Sequence, residues 1–255
     1  MPKTISVHSF RGGTGKSNTT ANLAVLLAAA GHRVGVVDTD IQSPGIHVIF
    51  ARPASEVKYA LNDYLWGKCP IEQAAYDVTP AAIGNAGAER PRLYLIPSSI
   101  DTGAIARVLR EGYDVSRLND GFQSLTRTLK LDYLLIDTHP GVNEETLLSI
   151  AISDLLLLIL RPDNQDFQGT SVTVELARRL EVREILIVLN KVPASSNPEQ
   201  LRSQVEFAYK APVIGALPLC EQIAELASSG IFVNRYPDHP VTAQLRAIAD
   251  RIMSR

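Results

Sequence analysis

The stretch "SFRGGTGKS", Ser9 to Ser17, decides how the rest of the chain is read. A phosphate-binding loop asks for Gly, four free residues, then Gly-Lys and Ser or Thr. Gly15, Lys16 and Ser17 stand in that order, but the place of the first glycine holds Phe10, followed by Arg11. Context favours the loop over a chance glycine cluster. The stretch ends an apolar run, "TISVHSF" (4–10), and opens a helical pattern. In that pattern Leu23, Leu26, Leu27 and Ala30 recur at i, i+3, i+4 and i+7, with Gly31 as the stop. Between strand and helix, the small residues Gly12, Gly13, Thr14 and Gly15 let backbone N–H groups turn toward phosphate oxygens. The helix N-terminus adds positive potential. Lys16 supplies a point charge to the β- and γ-phosphates, and the Ser17 hydroxyl can ligate Mg²⁺.

Outward from the loop, apolar runs alternate with helical patterns. Strands are expected at 4–10, 33–39, 93–98, 132–138, 154–160, 184–190 and 212–218. Several, such as "DLLLLIL" (154–160), are nearly continuous apolar runs, as in parallel strands buried on both faces. Helices are expected at 102–112, 115–130, 143–152, 167–180, 198–209, 220–229 and 241–253. The alternation predicts an α/β fold, a doubly wound and mostly parallel sheet with helices on both faces. Loops fall at "GNAGAERPR" (84–92), "PASSNP" (193–198) and "RYPDHP" (235–240). None is long enough for a linker, so residues 1–255 are read as a single domain.

Composition narrows the function classes. The chain is 45% hydrophobic and 20% charged, with a net charge of −2, so no overall basic field marks it as a nucleic-acid binder. Its two cysteines, Cys69 and Cys220, are far apart and have no metal-pair spacing. His8, His32, His47 and His239 show no such spacing either. The N-terminus lacks a signal-peptide core and no apolar run spans a bilayer, so the expectation is a cytoplasmic protein.

The stretch "FRGGTGKSNTTANLA" (10–24) resembles the deviant Walker A motif of the MinD/ParA ATPases, roughly x-K-G-G-x-G-K-[ST], whose first position is not required to be glycine. Further motifs follow in the family's order along nearly the whole chain. The resemblance implies ATP and Mg²⁺ as cofactors and a sandwich dimer that forms on ATP. The family's signature lysine reaches the partner subunit's phosphates; here Arg11 holds that position, keeping the charge in a planar fork. Asn18 replaces a threonine whose hydroxyl touches the α-phosphate. "VVDTDIQSPG" (36–45) is similar to the family's D-x-D-P-Q segment, which makes Asp40 the water-positioning residue and Asp38 its Mg²⁺-linked companion. "YLLIDTHPG" (133–141) looks like Walker B and switch II: Asp137 holds the metal's hydration shell, and the Gly141 amide approaches the γ-phosphate. His139 in that segment is read as structural. Asn190 and Pro218 match the base site, although Cys220 stands where the family has a base-contacting aspartate. Residues 161–180 resemble the start of a dimer-interface helix.

The family's cargo-positioning role implies a matrix and a protein partner or cargo adaptor. The chain is read as ending before a MinD-type amphipathic membrane helix. Arg202, Lys210, Arg235, Arg246, Arg251 and Arg255 are the candidates for a DNA surface. Two other readings stay open. One is a nucleotide-dependent scaffold with negligible turnover, favoured by Arg11, Asn18 and Cys220. The other is a relative of metallocluster carriers, which predicts cysteine pairs at a dimer axis.

Overall fold

The computed structural model describes residues 2–84 and 91–254. Most of the expected 84–92 loop, and Arg255, lie outside the described residues. Among the described residues, eight strands form one sheet: β1 (Lys3–His8), β2 (Arg33–Asp38), β3 (Tyr76–Asp77), β4 (Arg92–Ile96), β5 (Tyr133–Asp137), β6 (Leu155–Leu160), β7 (Glu184–Val192) and β8 (Val213–Pro218). Their order is β3-β4-β2-β5-β1-β6-β7-β8, parallel throughout except for the short edge strand β3. The expected doubly wound α/β fold is what the chain adopts.

The helices are α1 (Lys16–Ala29), α2 (Ile46–Ile49), α3 (Leu61–Leu65), α4 (Thr79–Ile83), α5 (Thr102–Glu111), α6 (Ser116–Thr128), α7 (Glu144–Ala151), α8 (Asn164–Arg179), α9 (Pro198–Tyr209), α10 (Glu221–Leu226), α11 (Phe232–Arg235) and α12 (Pro240–Met253). Short polar side chains start several of them. Asn143 accepts from Thr146 N at 2.8 Å, Asp163 from Asp166 N at 3.0 Å, and Asn197 precedes Pro198 at the first turn of α9. Gly31 ends α1 as expected.

Alternate residues of each central strand face opposite layers. Val7, Val36, Leu135, Leu157 and Val188 pack under α1 and α12. On the other face, Leu134 and Ile136 meet α6, while Leu156, Leu158, Ile187 and Leu189 meet α8 and α9. Under α7 this face of β1 is polar. Ser6 Oγ donates to Ser149 O at 2.9 Å, and His8 Nδ1 meets Thr138 Oγ1 at 2.7 Å. The chain leaves β1 toward β2 on one side, and β5 feeds β6 on the other side of β1. Such a reversal opens a crevice at the carboxyl ends of the strands, and the Ser9–Ser17 loop lies in it.

Candidate functional site

Two strand-end side chains hold the loop from outside. Asn190 Nδ2 donates to Thr14 O and Lys191 Nζ donates to Gly13 O, each at 2.7 Å. In a trans peptide the N–H points opposite to the C=O. The amides of Thr14 and Gly15 therefore face away from the side chains of Asn190 and Lys191. Gly15 sits at φ +93°, and a Cβ there would overlap Asn190 Nδ2, so both backbone and space require glycine. Lys191 escaped the sequence reading, although it adjoins Asn190 at the end of a buried strand. β7 runs two residues beyond its expected end, to Val192, and this brings Lys191 to the loop.

The carboxylates gather below. Asp38 and Asp137 are register partners on β2 and β5. Lys16 Nζ lies 2.8 Å from Asp137 Oδ1, with both side chains buried, and Thr20 Oγ1 adds a bond of 3.2 Å to the same oxygen. Asp38 uses its two oxygens to fold the following loop, accepting from Asp40 N at 3.0 Å and Gly45 N at 3.3 Å. Burial, then the neighbouring Asp137, pushes the Asp38 carboxyl well above the ordinary carboxylate range; Lys16 opposes this. Asp40 is also raised by burial, against the pull of Lys16 and His139. His139 Nδ1 is 2.6 Å from Pro140 O and must donate there, which turns Nε2 to within 3.8 Å of Asp40 Oδ1.

Three carboxylates against one ammonium suit a divalent cation, and the buried Thr14 Oγ1 has no partner among the described residues. Ser17 stands beside Lys16 on the first turn of α1. No three His, Cys, Asp or Glu side chains among the described residues converge into a metal cage. A magnesium ion here would be held by Ser17 beside Asp38 and Asp137, where it would polarise phosphate oxygens.

His8 makes a testable electrostatic statement. Burial, then Lys16 and His139, lowers its pKa to about 3 from the 6.5 of an ordinary histidine. A neutral buried histidine contributes stability that is complete above pH 6.5 and is lost as pH falls toward 3. The slope is about 1.4 kcal/mol per pH unit. Urea unfolding of the nucleotide-free protein should therefore show the advantage of His8 over His8→Asn shrinking by about 2 kcal/mol between pH 7 and pH 5. A constant difference would mean that His8 is not held neutral.

Beyond the loop, a cavity of about 290 Å³ is lined by Asn18, Asn190, Lys191, Pro218, Leu219 and Cys220, among others. The expected base-site residues are thus brought together. The Asn190 amide is partly committed, since its Oδ1 also accepts from Lys191 N at 2.9 Å; one N–H and one lone pair remain. The Gly141 amide donates to Ser9 O at 3.3 Å. Arg11 is half-exposed, with Nη1 3.7 Å from Asp163 Oδ1 at the start of α8. Asp163 also takes Arg161 Nε at 2.9 Å. Cys69 is buried beside Asp63 and Lys68, whereas Cys220 lines the cavity.

The family model described as ParA, "NUBPL iron-transfer P-loop NTPase", matches residues 1–253. An uncharacterized ATP-binding protein of Methanocaldococcus jannaschii is 28% identical over 99% of this chain and 88% of its own length. The iron-sulfur cluster carrier protein of Aquifex aeolicus is 25% identical over 96% of this chain and 65% of its own length. Among solved structures, the septum site-determining protein MinD of Pyrococcus horikoshii, complexed with Mg-ADP, superposes with a TM-score of 0.81. It is 23% identical, and the match covers 99% of this chain and 96% of that one.

Proposed function

The chain belongs to the ParA family of P-loop NTPases, and from that premise we propose that it is a MinD/ParA-type ATPase acting as a nucleotide-driven dimer switch. The observation that carries this reading is the pairing of Lys16 with Asp137 at 2.8 Å under the glycine-rich loop that Asn190 braces, beside Asp38 and Asp40. In this reading the amides of Gly12 to Gly15, with Lys16 and Ser17, take the phosphates and the metal. Ser17 would hold a magnesium ion, and Asp137 and Asp38 would accept hydrogen bonds from its bound water. Asp40, on the loop after β2, orients the attacking water; such positioning is most of what phosphoryl transfer needs. Asn18, Asn190 and Pro218 line the base cavity, and the Gly141 amide exchanges Ser9 O for the γ-phosphate. Arg11 leaves Asp163 for the phosphates of a second copy. The 255 residues act as one nucleotide-binding domain, and the dimer's surface engages a protein partner.

Two other ideas gain less from the geometry. Of the basic candidates, Arg202 lies on α9 with Lys210 just past its end, whereas Arg235 on α11 and Arg246 and Arg251 on α12 lie across the sheet, so the candidates divide between two faces. Cys69 and Cys220 occupy separate surroundings and form no pair within one copy.

Asp40→Ala is the test. With Mg-ATP it should run as a dimer on a sizing column, and as a monomer with Mg-ADP or without nucleotide. Its phosphate release should fall about 100-fold below the parent's. A monomer in all three conditions would sink the switch. A parent that dimerises on ATP with no measurable phosphate release would favour the scaffold reading.

A further inference from the structure

Phe10, the residue that breaks the phosphate-loop pattern, has a specific seat. Its ring lies against the backbone of Gly169 in the second turn of α8, where a Cβ would overlap Cδ1, Cγ and Cε1 of the ring. Gly169 is buried, in a helix interior where glycine is the poorest choice after proline. Space for the ring is the physical reason for it. The residue before Phe10, Ser9, ties the loop to the segment after β5, its carbonyl accepting from Gly141 N at 3.3 Å. The residue after Phe10, Arg11, points to Asp163 at the first turn of the same helix.

We propose that the phosphate loop is geared to α8 through the Phe10 ring seated on Gly169, so that a shift of the loop on binding nucleotide moves the helix. Phe10 and Gly169 are positioning residues in this arrangement, and it rests on the ATPase reading of the loop. A ring on bare backbone is a stiff contact: it has no side chain beneath it to change rotamer, and close-packed interiors transmit displacement. The helix, packed through Thr170, Thr173, Val174 and Ala177, moves as a unit. A flexible side chain in place of Gly169, or a void in place of Phe10, would let loop and helix move independently.

Amide hydrogen exchange, with and without Mg-ATP, reads this directly. In the parent, ATP should slow exchange across 164–173 by about tenfold. In Phe10→Ala that response should vanish, while slowing in the loop and around Asn190 persists. Gly169→Ala should weaken Mg-ATP binding about tenfold by pushing the ring, and with it the loop, out of place. Combining the two substitutions should bring the affinity back to within about threefold of Phe10→Ala alone, since the added methyl then meets no ring. Melting of the nucleotide-free variants checks that each folds, and the Phe10→Ala arm stands if Gly169→Ala does not. The gearing is overturned if 164–173 respond equally in parent and Phe10→Ala, if the parent's helix does not respond, or if the double variant's losses simply add. A parent that stays monomeric with ATP yet shows the Phe10-dependent response would discard the dimer switch and keep the gearing.

Discussion

Mixing Arg11→Ala protein with Asp40→Ala protein before adding ATP should restore about a quarter of the parent's hydrolysis, from two preparations that are each nearly inactive. Alone, Arg11→Ala should lose about 10³ in rate, the scale of a missing arginine finger. In a mixed dimer, the Arg11→Ala subunit keeps its own Lys16 and Asp40 and receives an intact Arg11 from its partner. That site is complete, while the other lacks Asp40. Random pairing makes half of the dimers mixed, each with one working site. If Arg11 serves only its own subunit's nucleotide, no complete site forms and the mixture stays inactive. Arg11→Lys should fall between parent and Arg11→Ala, because the charge survives and the fork does not. The side chain is free to travel: its contact with Asp163 is long, at 3.7 Å, and half-exposed.

Lys16→Met should abolish detectable nucleotide binding and also cost the nucleotide-free fold about 3–5 kcal/mol in urea unfolding. The second loss comes from Asp137, whose side chain is 1% exposed, left next to the buried Asp38 with no cation between them. The carboxylate is then left buried without a cationic partner. Adding Asp137→Asn should recover most of the stability and none of the binding. A double variant no more stable than Lys16→Met would show that the Lys16 stem, packed in the first turn of α1, matters more than its charge.

The seven long strands and the long helices were legible because each carries a full period of apolar residues. The helix expected at 198–209 matches α9 to the residue. What was missed is short: α2, α3, α4, α11 and the two-residue β3 offer too few residues for a period to show. β1 stops at His8 rather than position 10 because Ser9 already turns into the loop, its carbonyl taken by Gly141. The phosphate-loop spacing brought Lys16 to notice, and the resemblance to the MinD/ParA motifs brought Asp40 and Asp137. It did not reveal that Lys16 lies on Asp137, that Lys191 braces Gly13, or that Phe10 needs a glycine 159 positions later. These depend on which strands neighbour one another, and local pattern does not encode that order.

Asp38, Asp40 and Asp137 share one ammonium group, an excess of carboxyl groups that a divalent cation would offset. A ligand at a hundred times its dissociation constant, bound only by the native state, adds about 2.7 kcal/mol. Where degradation follows the population of opened molecules, that difference stretches a chain's half-life by about a hundredfold. On the proposed reading, the protein's persistence would therefore measure its nucleotide loading, with empty copies the first to be cleared.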